Sequence, residues 1–121
     1  MNYEKVLQIR FRDFLGDDLS MLDKEILESV KATLRQLSLI APGRAIEVRI
    51  PPYAAIQCGD GPTHTRGTPP NVIEMNAETW LALADGSQTW TQALASGSVR
   101  ASGARADLSP YLPLLKLHVI L

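Results

Sequence analysis

Cysteine, excess positive charge and long apolar runs are all scarce in this 121-residue chain. The single cysteine, Cys58, excludes an internal disulfide and fits a reducing compartment. Lysine and arginine number 12 against 13 aspartates and glutamates, and no segment has the basic excess that phosphate contacts need. The apolar runs are far shorter than the roughly 18 residues that span a bilayer. We therefore expect neither a nucleic-acid partner nor a membrane span.

The start of the chain also lacks a secretory signal, because no apolar stretch of about 7–15 residues follows a basic beginning. This predicts a cytoplasmic protein. Hydrophobic residues make up 45% and charged residues 21%, which is typical of a globular domain and excludes a disordered or collagenous chain. The length predicts one domain over 1–121, with an N-terminal helical segment at 1–41 and a core of sheet and helices at 44–117.

A long amphipathic helix is predicted from Asp18 to Ile40. Its apolar residues recur at spacings of three and four, namely Leu22, Ile26, Val30, Leu34 and Leu37. Pro42 and Gly43 end the helix, since proline lacks the next amide donor and glycine tolerates the terminal turn. The preceding residues 3–15 alternate like a strand but fit a helix equally well, so both interpretations stay open.

Short strands follow the helix. They are predicted at 45–50, 53–58, 72–75 and 99–102. Short helices are predicted after Asn76, over 89–95, and from Asp107 or Ser109, while the apolar tail 117–121 favours another strand. Because the strands cluster early and the helices pack to one side, we expect an α+β fold with an antiparallel or mixed sheet covered on one face.

Catalytic and metal chemistry find little support in the residue pattern. Cys58, His64 and His118 are the only thiol and imidazole groups, and none has the spacing of a metal site. Cys58 and His64 could pair as thiolate and imidazole, with Asp60 orienting the ring, but a lone thiol at a strand end is more often a core residue. The Gly-x-Gly at 59–61 lacks the rest of a nucleotide-binding motif. We expect no enzyme activity, no metal and no cofactor.

Two groups of residues favour ligand binding. The loop at 59–70 contains His64 and Arg66, and an arginine guanidinium matches a carboxylate or phosphate head group. The alternative is that these polar side chains only satisfy the backbone of the loop. Large apolar side chains on the predicted helices either fill the core or line a cavity between helices and sheet. They are Trp80, Leu83, Trp90, Leu94, Leu108, Leu112 and Leu115.

Four segments, followed by leucines at 108, 112 and 115, share the order and spacing of a known family. They are Asn-Val-Ile-Glu-Met-Asn at 71–76, Trp-Leu-Ala-Leu-Ala-Asp-Gly at 80–86, Gln-Ala-Leu-Ala-Ser-Gly at 92–97 and Val-Arg-Ala-Ser-Gly at 99–103. On these segments residues 71–117 resemble the sterol carrier protein family. Residues 51–71 and 105–109 look closer still to small, stand-alone bacterial members of that kind.

This resemblance implies a sheet of about five strands, helices on one side, and an apolar ligand space between the two layers. It implies non-catalytic binding or carrying of a fatty acid, acyl-CoA or other lipid. The residues we expect at such a ligand, apolar ones first, are Trp80, Leu83, Trp90, Leu94, Leu112, Leu115, His64 and Arg66. The alternative is an accessory or protein-interaction module with a filled core, whose partner is an enzyme or a second copy of the chain.

Overall fold

The computed structural model describes residues 19–62 and 70–114, which form three α-helices and a four-stranded sheet. In chain order the elements are α1 (Leu19–Ile40), β1 (Ile46–Ile50), β2 (Ala54–Cys58), β3 (Val72–Met75), α2 (Ala77–Asp85), α3 (Trp90–Ala95), β4 (Val99–Ser102) and a 3-10 turn at Ser109–Tyr111. The ambiguous segment 3–15 and the tail 117–121 lie outside the described residues. Within the described residues, no helix has the length and apolar character that crossing a membrane requires.

The strands are ordered β2-β1-β3-β4 across the sheet. β1 pairs antiparallel with β2 and parallel with β3, and β3 pairs antiparallel with β4. The expected α+β class and mixed sheet are thus confirmed. The described residues contribute four strands rather than about five, and the further strand expected at 117–121 lies outside them.

The strand register places apolar side chains on one face of the sheet and polar ones on the other. Val48 lies opposite Ile56 on β2 and Ile73 on β3, whereas Arg49, the next residue, lies opposite Glu74. Paired residues point to the same face and successive residues to opposite faces. Val48 and Ile73 have no exposed surface, so the apolar face is the buried one. The period-two interpretation of β1 is therefore correct.

α1 buries its apolar stripe and contacts β2 and α2. The stripe residues Leu22, Ile26, Val30, Leu34 and Leu37 are at most 7% exposed. After the helix the chain turns sharply at Gly43, whose φ is 136°, and a Cβ there would overlap the carbonyl oxygen of Gly59. Only glycine allows the two backbones to approach this closely. The long helix and the Pro-Gly signal for its end are both confirmed.

The short helices begin and end near the residues that their capping patterns predict. The Asn76 side chain accepts a hydrogen bond from the Thr79 amide at 2.8 Å, and Gly86, with φ 88°, caps the other end of α2. Thr89 and Gln92 form a reciprocal capping box at the start of α3.

The start predicted for the last helix, at Asp107 or Ser109, is wrong. The chain makes a 3-10 turn at Ser109–Tyr111, Leu112 is extended, with φ −111° and ψ 148°, and helical backbone returns only at Leu114, the last described residue. Pro113 follows Leu112, and a residue that precedes proline is disfavoured in the helical region by contact with the proline ring. Pro110 was correctly placed at the start of a helical turn, but Pro113 prevents that turn from continuing.

Asn71 holds three parts of the fold together from a buried position. Its side-chain amide donates to the carbonyl oxygen of Ala45 before β1, and its side-chain oxygen accepts from the backbone amide of Arg105 after β4, each at 2.8 Å. Its own carbonyl accepts from the Glu47 amide at 2.9 Å. Asn71 is only 4% exposed, and the loss of its side chain would leave the buried carbonyl of Ala45 and the partly buried amide of Arg105 without this partner.

We expect Asn71→Ala to lower the free energy of unfolding by about 2–4 kcal/mol, because one buried acceptor and one partly buried donor lose their partner. Asn76→Ala is a matched control that removes only a helix cap and should lower the same quantity by about 1 kcal/mol. Urea unfolding followed by circular dichroism measures both. A loss for Asn71→Ala no larger than that of the control would contradict the bridging role of Asn71.

Candidate functional site

A groove of about 610 Å³ runs along one side of α1. Its lining residues are Met21, Lys24, Glu25, Glu28, Ser29, Ala32 and Thr33. Between the first and the last of these residues the helix rises roughly 18 Å. The volume falls within the range of roughly 300–1,000 Å³ that small-molecule sites occupy. The groove is larger than the second cavity described below, and we therefore take it as the candidate functional site.

The groove forms because small side chains lie beside long ones on the surface of the helix. Residues three and four apart are neighbours on a helix, so Ser29, Ala32 and Thr33 form one shallow patch. Met21, 64% exposed, lies toward the other end of the groove. Ser29 and Thr33 each immediately precede a residue of the buried stripe. The groove therefore lies beside the buried stripe, and none of the stripe residues lines it.

At Thr33 the groove meets the contact between α1 and α2. The indole N–H of Trp80 donates to the Thr33 hydroxyl oxygen at 2.8 Å. The Thr33 hydroxyl in turn lies 2.7 Å from the carbonyl oxygen of Ser29, to which it donates. Trp80 has no exposed surface, so this bond satisfies a buried donor that would otherwise lack a partner. Trp80 thus supports the groove from behind and does not line it.

Glu25 gives the groove its electrostatic character. One of its carboxylate oxygens, Oε2, is enclosed by the protein and accepts no hydrogen bond from the described residues. A buried acceptor in this state lacks the compensation that buried polar groups normally have. Lys24 and Glu28 also line the groove, so its walls contain one positive and two negative side chains. The site therefore combines an apolar patch with an excess of negative charge.

Three of the apolar residues expected at a ligand meet at a second, smaller cavity. Leu83, Trp90 and Leu112 line a space of about 260 Å³, together with Gly86 and Pro113 among others. This cavity lies where the end of α2, the start of α3 and the segment after the 3-10 turn come together. Its volume is below the range of roughly 300–1,000 Å³ that is usual for small-molecule sites.

Among the described residues, the other two predicted ligand residues, Trp80 and Leu94, do not line that cavity. Trp80 is buried in the core, as is Leu108, which has no exposed surface. Leu94 on α3 is 43% exposed. Leu115, His64 and Arg66 lie outside the described residues. The structure therefore brings together half of the six apolar residues named for the ligand and separates Trp80 and Leu94 from them.

Cys58 lies in the core at the end of β2, in agreement with the favoured interpretation of a lone thiol. It has no exposed surface, and desolvation by burial raises the pKa of its thiol from 9.0 to about 11. A thiol with this pKa stays protonated at neutral pH and is a weak nucleophile. Within residues 19–62 and 70–114, no three His, Cys, Asp or Glu side chains lie close enough to hold a metal ion.

None of the residues that line the groove was named as a ligand residue from the sequence. The periodicity of α1 indicates its buried stripe, and the large apolar side chains of the later helices are the more obvious ligand candidates. The sequence signal for the groove is instead a set of small residues, Ser29, Ala32 and Thr33, at helical spacing beside that stripe. Small residues on a long helix leave a hollow between their longer neighbours.

A family model described as "Bacterial SCP ortholog" matches residues 23–114, about three quarters of the chain. The matched range contains nearly all of α1, the four strands of the sheet, both short helices, and all but Met21 of the groove lining. None of the curated proteins matches the chain.

We expect the Cys58 thiol of the folded protein to react with iodoacetamide about 100-fold more slowly at pH 8 than the thiol of the protein unfolded in urea. The reason is that raising the pKa from 9.0 to about 11 reduces the thiolate fraction at this pH by about that factor. Mass spectrometry of timed samples measures both rates. Comparable rates in the two states would show an accessible thiolate and would support a nucleophilic role.

Proposed function

Since the chain belongs to the family of bacterial SCP orthologs, a sterol-carrier-like family, we propose that it binds and carries a lipid-like apolar ligand without converting it. The observation that carries this proposal is the groove of about 610 Å³ along α1. Its apolar part, formed by Met21, Ala32 and the aliphatic stem of Lys24, removes hydrocarbon from water. Its polar side chains remain available to a head group.

The expected ligand is a long-chain amphiphile. Burial of one methylene group contributes about 0.8 kcal/mol, whereas association costs at least about 4 kcal/mol in lost translational and rotational freedom. A chain of about eight carbons therefore binds only weakly, and about twelve carbons give a clear surplus. The helical rise of roughly 18 Å between Met21 and Thr33 leaves room for an extended chain of this kind.

The packing of the core supports a ligand on α1 rather than between the sheet and the helices. Trp80, Leu34 and Val48 have at most 1% of their surface exposed, so side chains already fill that layer. The smaller cavity beside Trp90 has about 260 Å³, which is little space for a long chain. We therefore propose the groove as the carrier site, in place of the interlayer cavity expected from the sequence.

Absence of catalysis is part of this proposal. The thiol of Cys58 is buried and its pKa is raised to about 11, which supports a structural role for it. The cytoplasmic location expected from the sequence stays a prediction.

The filled core also favours a second function, that of an accessory or interaction module. Its observation is exposed apolar surface: Met21, Leu39 and Leu94 are 64%, 76% and 43% exposed. Such side chains lose water-exposed area when a partner covers them. A module of this kind would bind an enzyme or a second copy of the chain and no lipid.

We expect Ala32→Phe to weaken binding of 1-dodecanol at least tenfold, because the added ring occupies the shallow middle of the groove. Leu39→Phe is the matched control, since Leu39 is exposed on the same helix and does not line the groove. Isothermal titration calorimetry of the full chain measures both affinities. Similar thermal melts of the two variants would show that neither change unfolds the protein.

Leu112→Glu tests which of the two cavities holds the ligand, because Leu112 lines the smaller cavity and not the groove. If the ligand occupies the groove, this variant keeps its affinity for dodecanol, whereas a ligand beside Trp90 would lose it. Absence of binding to the unmodified chain, together with a clean mass for the freshly purified protein in native mass spectrometry, would contradict the carrier function and favour the interaction module.

A further inference from the structure

We propose that Glu25 selects the head group of the ligand, so that the groove takes a long-chain amine in preference to a long-chain carboxylate. This inference rests on the proposed function, because it concerns the same groove. It adds a chemical class for the polar end of the ligand and one residue that recognises it.

The position of Glu25 within the groove is the first argument. Met21 precedes it by four residues and Ser29 follows it by four, so the three side chains lie on one face of α1. Glu28, which also lines the groove, follows by three residues. A head group near Glu25 leaves roughly 12 Å of helix between Glu25 and Thr33, which holds most of an extended twelve-carbon chain.

The state of the Glu25 carboxylate is the second argument. Its Oε2 is buried and accepts no hydrogen bond from the described residues, although Glu25 lines the groove. An ionised carboxylate only accepts hydrogen bonds, whereas an ammonium group carries three donors. Glu25 as a whole is only half-buried, so a turn of its side chain brings Oε2 to the groove, where an ammonium head group supplies the donors and the charge that this oxygen lacks. A carboxylate head group supplies neither.

The charge of the surrounding walls is the third argument. Lys24 contributes one positive charge, and Glu25 and Glu28 contribute two negative ones. A fatty-acid carboxylate in the groove thus meets a net negative site, and charge repulsion adds to the missing hydrogen bonds. This differs from the anionic head group that Arg66 and His64 suggested from the sequence, and the two expectations predict opposite ligand preferences.

The test compares three ligands that share one chain length. Dodecylammonium, 1-dodecanol and dodecanoate are titrated into the full chain by isothermal titration calorimetry at pH 7.5, the two ionic ligands below their micelle concentrations and the alcohol below its solubility limit. We expect dodecylammonium to bind at least tenfold more tightly than dodecanoate, with dodecanol between them. Glu25→Gln should weaken dodecylammonium binding about tenfold and remove most of the preference.

Asp23→Asn is the matched control, because it removes one negative charge from the exposed side of the same helix without changing the groove lining. A preference for the amine that falls equally in both variants would reflect net charge alone and would overturn the role of Glu25. Dodecanoate binding as tightly as the amine to the unmodified chain would overturn it as well, independently of any variant. Binding of none of the three ligands would instead overturn the carrier function on which the inference rests.

Discussion

Burial of the apolar stripe of α1 is the constraint on which the other elements depend. A helix of 22 residues with five large aliphatic side chains on one face must cover that face, and the sheet and α2 do so. The hydrogen bond from Trp80 to Thr33 fixes the contact at one point, because a buried indole N–H needs an acceptor. Thr33 also lines the groove, so this contact lies at the boundary between the buried and the exposed sides of α1.

That packing explains why the candidate site lies on the flank of the long helix. The large side chains of the later helices, Trp80 above all, complete the core and leave little space between the layers. Beside the small side chains of α1, no large side chain fills the groove. An apolar chain can therefore lie in the groove without displacing core residues. A carrier of this design would exchange its ligand with little change in the fold.

Local chemistry made most of the secondary structure predictable. The helix start after Asn76, the helix near 89–95 and the alternation of β1 each depend on a few neighbouring residues, and each was confirmed. The predicted start of the last helix was wrong because Pro113 disfavours the helical region for Leu112, a local restriction that the sequence contains. The site was harder to predict, since Leu83, Trp90 and Leu112 were expected to meet but the cavity they form is the smaller one.

The sequence by itself determined the α+β class, the order of the elements and the resemblance to the sterol carrier family, because periodicity, capping and motif spacing are properties of neighbouring residues. Only the tertiary structure decided which apolar side chains fill the core and which line a cavity. A tryptophan such as Trp80 lines a cavity or closes one according to what packs against it. The enclosure of one carboxylate oxygen of Glu25, a residue that polar patterning would place at the surface of a helix, is likewise decided by the packed fold.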